Sequence, residues 1–280
     1  MVVLWKSDQL NLQIRIMKKI LIQGFITVAL FFATWFLLSN IDWLKLFRVE
    51  RVADKTEEKL GELFWEIFQK SEDEVKNPYV INAIDSLVSV ICLSNNIERD
   101  LINVHILSKD EINAFALPNN HLIVYSGLIL NTDNQNELAG VISHEIAHMQ
   151  LKHVMKKLVK EVGLSVLISM TTGSGGEVIK ETAKMLSSSA FDRSLEKEAD
   201  LKAVDYLFNA KINPEPFANF LYKLSEKENE SSKYLTWINT HPDSGERAAY
   251  ILEYSANKKA KFETVLSINT WEKIKEKLQE

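Results

Sequence analysis

Two histidines and a glutamate within one helical turn are the residues of this chain best suited to chemistry. Residues 144–148 read His-Glu-Ile-Ala-His. Positions i and i+4 of an α-helix lie on one face, so His144 and His148 can direct ring nitrogens at the same metal ion. Glu145 lies about 100° further round the helix and can act as the base for a water on that metal. The motif therefore predicts metal-dependent hydrolysis.

The motif leaves the metal short of ligands, because a catalytic zinc usually has three protein ligands and one open position. The chain has a single cysteine, which excludes a cysteine-based zinc cluster, so the third ligand must be a histidine or a carboxylate. The candidate histidines are His105, His121, His153 and His241. We expect His153 to point away from the metal, since it lies nearly half a turn from His144 on one continuous predicted helix.

A downstream acidic segment offers the carboxylate. Residues 193–200 read Arg-Ser-Leu-Glu-Lys-Glu-Ala-Asp and begin a predicted helix that reaches about Asn209. Glu196 and Asp200 share one face of it, so Glu196 can bind the metal while Asp200 accepts a hydrogen bond from a ligand histidine. Acidic pairs with this spacing are also common on solvated helix faces, so this pair gains its meaning only beside His144 and His148.

The elements that must position these residues are mostly helical. Apolar spacing predicts helices over residues 56–70 and 82–95, and a helix from about Asn134 to about Lys160 that carries the histidine motif. Asn134 and Glu137 resemble a capping box at its start. Between these helices, residues 103–107, 112–117 and 121–125 read as three strands arranged as a meander, with a turn at residues 118–120. The pattern predicts an α+β, mostly helical fold with a small β-sheet beside the active-site helix.

The N-terminal part predicts a membrane segment. Ile20 to Leu38 is uncharged over 19 residues and follows Arg15, Lys18 and Lys19. As a helix it would span roughly 28 Å, close to the hydrocarbon thickness of a bilayer. We expect a transmembrane anchor over 20–38, with a removed signal peptide as the alternative, and residues 1–19 as a cytoplasmic tail or an over-extended start.

The basic cluster before the anchor predicts a catalytic body outside the cytoplasm, which is the periplasmic side in a bacterium. If the segment is instead a removed signal peptide, the protein is exported as a soluble chain. A formal net charge of −5 argues against a nucleic-acid partner, because phosphate binding needs a basic surface.

Several motifs in one order resemble a known family. The histidine motif followed by Arg193-x-x-Glu196-x-Glu198-Ala199-Asp200 is similar to peptidase family M48 of zinc metallopeptidases, which are gluzincins with HtpX-like, BepA-like and Oma-type members. Further segments resemble the family's edge strand, the turn before its active-site helix and a late motif: Asn113–Pro118, Tyr125–Leu128, and Thr240-His241-Pro242 with Arg247.

The resemblance covers roughly residues 100–255 and implies a zincin-like metallopeptidase, whose domain we expect over residues 50–255. The charged residues after Trp271 predict a C-terminal helical extension over 256–280. It implies one Zn²⁺ per chain, bound by His144, His148 and Glu196, with Glu145 as general base and Asp200 behind the ligands. The implied edge strand would pair with extended substrate through three residues: Asn113, Ala114 and Phe115.

These expectations favour a zinc endopeptidase acting on misfolded or unassembled envelope proteins. A chaperone or assembly factor with a latent zinc site is the alternative. A purely structural zinc site is disfavoured by Glu145, since such a site needs no base. His241 has three open interpretations: it belongs to a structural turn, it stabilises the oxyanion of the tetrahedral intermediate, or it occupies the open zinc position and keeps the enzyme latent.

Overall fold

The computed structural model describes residues 23, 24, 27, 28, 30–32, 49–173, 175–227, 232–256 and 258–280. The chain forms two compact units, Met1–Asp54 and Lys55–Glu280, and the second contains every predicted site residue. Within the described part of the chain, no helix combines the length and the apolar character needed to cross a bilayer. The predicted tail over 1–19 and most of the predicted anchor over 20–38 lie outside the described residues.

Most of the second unit is helical, as predicted. Helix α1 (Val49–Ser71) begins in the first unit and continues into the second. The other helices of the second unit are α2 (Pro78–Ser94), α3 (Ser126–Asn131), α4 (Gln135–Gln150), α5 (His153–Glu161), α6 (Leu164–Met170), α7 (Gly176–Ser188), α8 (Arg193–Asn209), α9 (Glu215–Glu226), α10 (Ser232–Thr240), α11 (Ser244–Ala256) and α12 (Ile268–Gln279). A short 3₁₀ turn, Arg99–Leu101, precedes the sheet. The helices predicted over 56–70 and 82–95 are therefore present as parts of α1 and α2.

The sheet has three strands, β1 (Asn103–Leu107), β2 (Ala114–Leu117) and β3 (His121–Tyr125), in the order β1-β3-β2. Strands β2 and β3 form the predicted antiparallel hairpin, whose turn places Asn119 and Asn120 at φ 59° and 55°, a region that asparagine tolerates well. The meander prediction is wrong, because β1 pairs with β3 in parallel. The backbone amide of Lys109 donates to Ser126 Oγ at 2.9 Å, so the chain leaves β1 beside the end of β3.

Helix α4 carries the histidine motif through the interior of this unit. Asn134 caps it by accepting hydrogen bonds from the amides of Asn136 and Glu137. The helix packs against α8, α9 and β2. It ends at Gln150, ten residues before the predicted end, because Lys152 adopts a left-handed conformation (φ 57°) and a new helix starts at His153.

Close packing explains one glycine of this helix. A Cβ atom built on Gly140 would lie 2.3 Å from Cβ of Phe217 in α9, closer than any side chain tolerates. Glycine at this position lets α9 approach the backbone of α4 directly. This close contact with α9, together with the contacts to α8 and β2, holds the helix that carries the motif in place.

Candidate metal centre

Four side chains from three parts of the fold meet in the interior. Helix α4 contributes His144 and His148, α8 contributes Glu196, and the segment after α10 contributes His241. One nitrogen or oxygen from each lies within 4.8 Å of all the others, and all four side chains are buried. The structure therefore brings together the three ligands expected from the sequence and the histidine whose role was open.

The spacing of these atoms fits a tetrahedral metal site. Nε2 of His144 lies 3.0 Å from Nε2 of His148 and 3.5 Å from Oε2 of Glu196. Nδ1 of His241 lies 3.3 Å from Nε2 of His144 and 3.1 Å from both carboxylate oxygens of Glu196. A zinc ion with ligands at about 2.0–2.2 Å separates neighbouring ligand atoms by about 3.4 Å, so these residues fit zinc.

A charged network supports the ligands on the α8 side. Nδ1 of His144 lies 2.8 Å from Oδ1 of Asp200, and Arg247 donates to both oxygens of Asp200 at 2.8 Å. Nη1 of Arg247 lies 2.8 Å from Glu196, and Tyr250 donates to Asp200. Burial opposes the charge on Glu196, but His241 and Arg247 outweigh it and hold the pKa of Glu196 well below its usual range. The carboxylate stays ionised, as a ligand must.

The other ligand histidine has a separate support. Nδ1 of His148 lies 3.1 Å from Nδ1 of His153, and Nε2 of His153 lies 3.3 Å from Oε2 of Glu198. His153 is not among the clustered donors, as expected, but it does not point away. The break at Lys152 turns α5 back towards the motif, so His153 contacts His148 directly. The contact between His148 and His153 was not predicted, because one continuous helix was expected over both residues.

Glu145 lies between the cluster and the sheet. Its Oε2 accepts a 3.0 Å hydrogen bond from the backbone amide of Ala116, and its Oε1 lies 3.5 Å from Nε2 of His241. The side chain is fully buried, and burial raises the pKa of Glu145 to about 7. A carboxylate with that pKa can both take up and return a proton near neutral pH.

Strand β2 is an edge of the sheet that faces this site. The backbone amide of Tyr125 donates to the carbonyl of Asn113, so Asn113 faces β3 while Ala114 and Ala116 direct their backbone groups outwards. Helix α7 packs against this edge, and Nδ2 of Asn113 donates to the carbonyl of Ser187 at 3.3 Å.

An aromatic ring closes the site from the segment between α7 and α8. The Phe191 ring stacks on the His148 imidazole, with 4.1 Å between centroids and 27° between planes. Nζ of Lys157 lies 4.4 Å from the centre of that same ring. Lys157 is buried, and burial lowers its pKa to about 8. Neither residue was predicted from the sequence, because neither belongs to a motif or to an apolar stripe of a predicted helix.

Comparisons with known proteins agree with the geometry. The family model described as Peptidase family M48 matches residues 74–255, more than half of the chain. The Beta-barrel assembly-enhancing protease of Yersinia pestis is 26% identical over 199 residues, which cover 65% of this chain and 40% of that protein. The Metalloprotease LoiP of Escherichia coli strain K12 is 32% identical over 167 residues, covering 57% of this chain and 65% of that protein.

A mitochondrial relative also matches. The Metalloendopeptidase OMA1 of Bos taurus is 28% identical over 163 residues, covering 53% of this chain and 31% of that protein. The chain thus spans less than two thirds of the length of each of these three relatives.

Proposed function

The chain belongs to peptidase family M48, a family of zinc metalloendopeptidases, and we propose that it hydrolyses peptide bonds of misfolded or unassembled envelope proteins. The observation that carries this proposal is the buried cluster of two imidazoles and a carboxylate with Glu145 beside it. In the proposal, His144, His148 and Glu196 bind one zinc ion per chain. Asp200 orients His144 through its Nδ1, as carboxylates commonly orient histidine ligands.

Glu145 is the proposed general base. Zinc, when bound, lowers the pKa of a water to about 7 and polarises the carbonyl to be attacked. Glu145 accepts the proton of the attacking water and later donates it to the leaving amine. The amide of Ala116 holds one oxygen of Glu145 in place, which leaves the other oxygen to exchange the proton.

The proposed substrates are extended segments of unfolded chains. The outward backbone groups of β2, in the segment that includes Asn113, Ala114 and Phe115, can pair with a substrate strand and carry it past the cluster. Backbone pairing of this kind needs an extended chain and little sequence specificity. The name of one relative, a protease that enhances β-barrel assembly, supports an envelope setting.

The proposed location follows from the sequence. The uncharged segment 20–38 is proposed as a membrane anchor that holds the catalytic unit outside the cytoplasm, on the periplasmic side in a bacterium. Export as a soluble chain after signal cleavage is the alternative. Protein mass spectrometry of the native chain distinguishes the two, because only the anchored form retains residues 20–38.

A latent form of the same site, the state expected of a chaperone with a rarely used protease centre, is favoured by one observation. Nδ1 of His241 lies among the ligand atoms at tetrahedral spacing, where the open zinc position would otherwise be. We propose that His241 completes a closed shell and leaves when substrate arrives. His241→Ala is then expected to raise basal casein cleavage several-fold. A sharp fall in kcat would instead assign His241 to the oxyanion.

Degradation of unfolded casein by the full chain tests the proposed function. Cleavage should require zinc, stop with a chelator, and fall about a hundredfold to ten-thousandfold in Glu145→Gln, the loss expected when a general base is removed. The variant should retain its zinc, since Glu145 is not a proposed ligand. Equal cleavage under all of these conditions would exclude the proposal. Substrate holding by Glu145→Gln without cleavage would separate a chaperone activity from proteolysis.

A further inference from the structure

A second histidine pair lies in the sheet, apart from the metal centre. Nε2 of His105 in β1 lies 3.0 Å from Nδ1 of His121 in β3. Each outer ring nitrogen faces a carboxylate: Nδ1 of His105 lies 3.3 Å from Glu74, and Nε2 of His121 lies 3.4 Å from Glu62. The four groups form one row in the order Glu74, His105, His121, Glu62.

The ring geometry suits a shared proton and does not suit a metal. The two imidazole planes differ by only 15°, and their centroids are 5.2 Å apart. With 3.0 Å between the facing nitrogens, both nitrogens lie close to the line that joins the ring centres, so their bonding directions oppose each other. That is the geometry of an N–H···N hydrogen bond, whereas two ligands of a tetrahedral metal converge at an angle.

With both rings neutral, one outer ring nitrogen of the row carries no proton to donate to the carboxylate that it faces. A carboxylate only accepts, and two neutral rings joined by one N–H···N bond leave a proton on only one of the two outer nitrogens. Nδ1 of His105 is the outer nitrogen at hydrogen-bond distance from its carboxylate, so we place that proton on it, and Nε2 of His105 then accepts from Nδ1 of His121. The Nε2 atom of a neutral His121 is then a buried lone pair that faces the carboxylate of Glu62. The His121 residue is 3% exposed, and among the residues that the structure describes this nitrogen has no hydrogen-bond partner. One added proton would turn two opposed acceptors into a hydrogen bond.

A hydrogen bond from His121 to Glu62 would join α1 to the β2–β3 hairpin, whose strand β2 is the proposed substrate edge. His121 pairs with Leu117 at the end of β2, next to the Ala116 amide that holds Glu145. A Cβ built on Gly61 would lie 2.5 Å from the carbonyl oxygen of Pro118, so α1 already packs tightly on the hairpin turn. Glu62 follows Gly61 in the chain, so the missing bond lies beside this contact.

We propose that the row of Glu74, His105, His121 and Glu62 binds one proton at His121 Nε2 and thereby fixes the β2–β3 hairpin against α1. The proton comes from water, and the bond formed is Nε2–H to the Glu62 carboxylate. These are positioning residues for the strand that receives substrate, so the effect on cleavage rests on the proposed function. The proton-binding step does not.

The direction of the pH dependence follows from the groups that face His121. Glu62 of α1 and His105 of β1 face His121 directly, and Glu74 after α1 faces His105. Burial lowers the pKa of His121, and Glu62 counteracts part of this effect. The histidine pair is therefore neutral at neutral pH. The hydrogen bond from His121 Nε2 to Glu62 forms as the pH falls through the pKa of His121. Removing the Glu62 charge must lower that pKa further.

Nitrogen-15 nuclear magnetic resonance of the histidine rings in the full, zinc-loaded chain tests the proton site. The resonances of His121 should titrate at a lower pH in Glu62→Gln than in the wild type. The control is Glu66→Gln, which removes the same charge from the next turn of α1, where Glu66 is paired with Lys70 at 3.3 Å. An identical His121 titration in the wild type and both variants would overturn the proposed proton site at His121 Nε2, whether or not the chain cleaves casein.

Cleavage kinetics test the positioning role separately. As the pH falls through the measured pKa of His121, KM for unfolded substrate should become about two- to fivefold lower in the wild type than in Glu62→Gln, the effect expected of a partly exposed ion pair. Glu66→Gln should follow the wild type, and kcat should not differ. Equal KM values in all three proteins at every pH would overturn the positioning role.

Discussion

Two histidine pairs in this protein have the same 3.0 Å separation between ring nitrogens and opposite geometries. In the metal centre, the rings of His144 and His148 stand at 80° with centroids 4.6 Å apart, so their nitrogens converge. In the sheet, the rings of His105 and His121 are nearly coplanar and their nitrogens oppose each other. The distance alone does not identify a metal site, whereas the direction of the lone pairs does.

The difference arises from the elements that carry each pair. His144 and His148 lie four residues apart on one helix, which fixes both side chains on one face. His105 and His121 come from two neighbouring parallel strands, whose side chains extend side by side from the sheet. Helical spacing therefore made the first pair visible in the sequence, while the second depends on a strand order that the sequence did not reveal.

The supporting carboxylates give the largest expected contrast between the pairs. Asp200→Asn should weaken zinc binding about 10- to 100-fold, because the orienting partner of a ligand histidine is lost. Glu74→Gln changes the corresponding carboxylate of the other pair and should leave zinc affinity unchanged. Competition with a chromophoric chelator measures both. A similar loss in the two variants would mean that the pairs do not differ in the way proposed.

Stability against pH sharpens the contrast. Burial lowers the pKa of both His105 and His121 below the value of an unfolded chain, so the unfolded state binds protons more readily as the pH falls. The free energy of unfolding should therefore decrease below about pH 6.5, by at most about 1.4 kcal/mol per pH unit for one proton.

Urea unfolding at several pH values measures how the free energy of unfolding depends on these two histidines. The double variant His105→Gln with His121→Gln lacks both titrating rings, so its difference from the wild type should shrink as the pH falls. The zinc-site histidines titrate in both proteins and cancel in the difference. A difference that stays constant from pH 7.5 to pH 5 would contradict the assignment.

The smallest expected effect concerns the aromatic ring on each pair. Trp65 stacks on His105 with centroids 3.5 Å apart, and Phe191 stacks on His148 at 4.1 Å. Trp65→Leu should lower the free energy of unfolding by about 0.5–1.5 kcal/mol beyond the loss of buried area and leave zinc affinity unchanged. Phe191→Leu should change zinc affinity as well, because that ring packs on a proposed ligand. Thermal unfolding and zinc titration distinguish the two variants.

Spacing within one helix predicted which side chains share a face. The i,i+4 spacing paired His144 with His148 and Glu196 with Asp200, and the structure places donor atoms of His144, His148 and Glu196 in one buried cluster with Asp200 beside His144. The helix content and the β2–β3 hairpin were also predicted from apolar period and turn residues. These features are local, so the information that determines them lies within a few residues.

The features that escaped prediction depend on contacts between distant parts of the chain. The break after α4 depends on the left-handed conformation of Lys152, which lysine rarely adopts and which its residue type does not predict. This break brings His153 into contact with His148. Arg247 reaches Asp200 across 47 positions of sequence. The parallel position of β1 beside β3 likewise followed from no local signal.

Zinc stoichiometry of matched histidine variants tests the central claim most directly. The full chain, loaded with zinc and dialysed, should contain one zinc ion per chain by atomic emission. His121→Gln should retain that ion, and His148→Gln should lose it together with casein cleavage. Two tightly bound ions in the wild type, or loss of the ion in His121→Gln with retention in His148→Gln, would contradict the account.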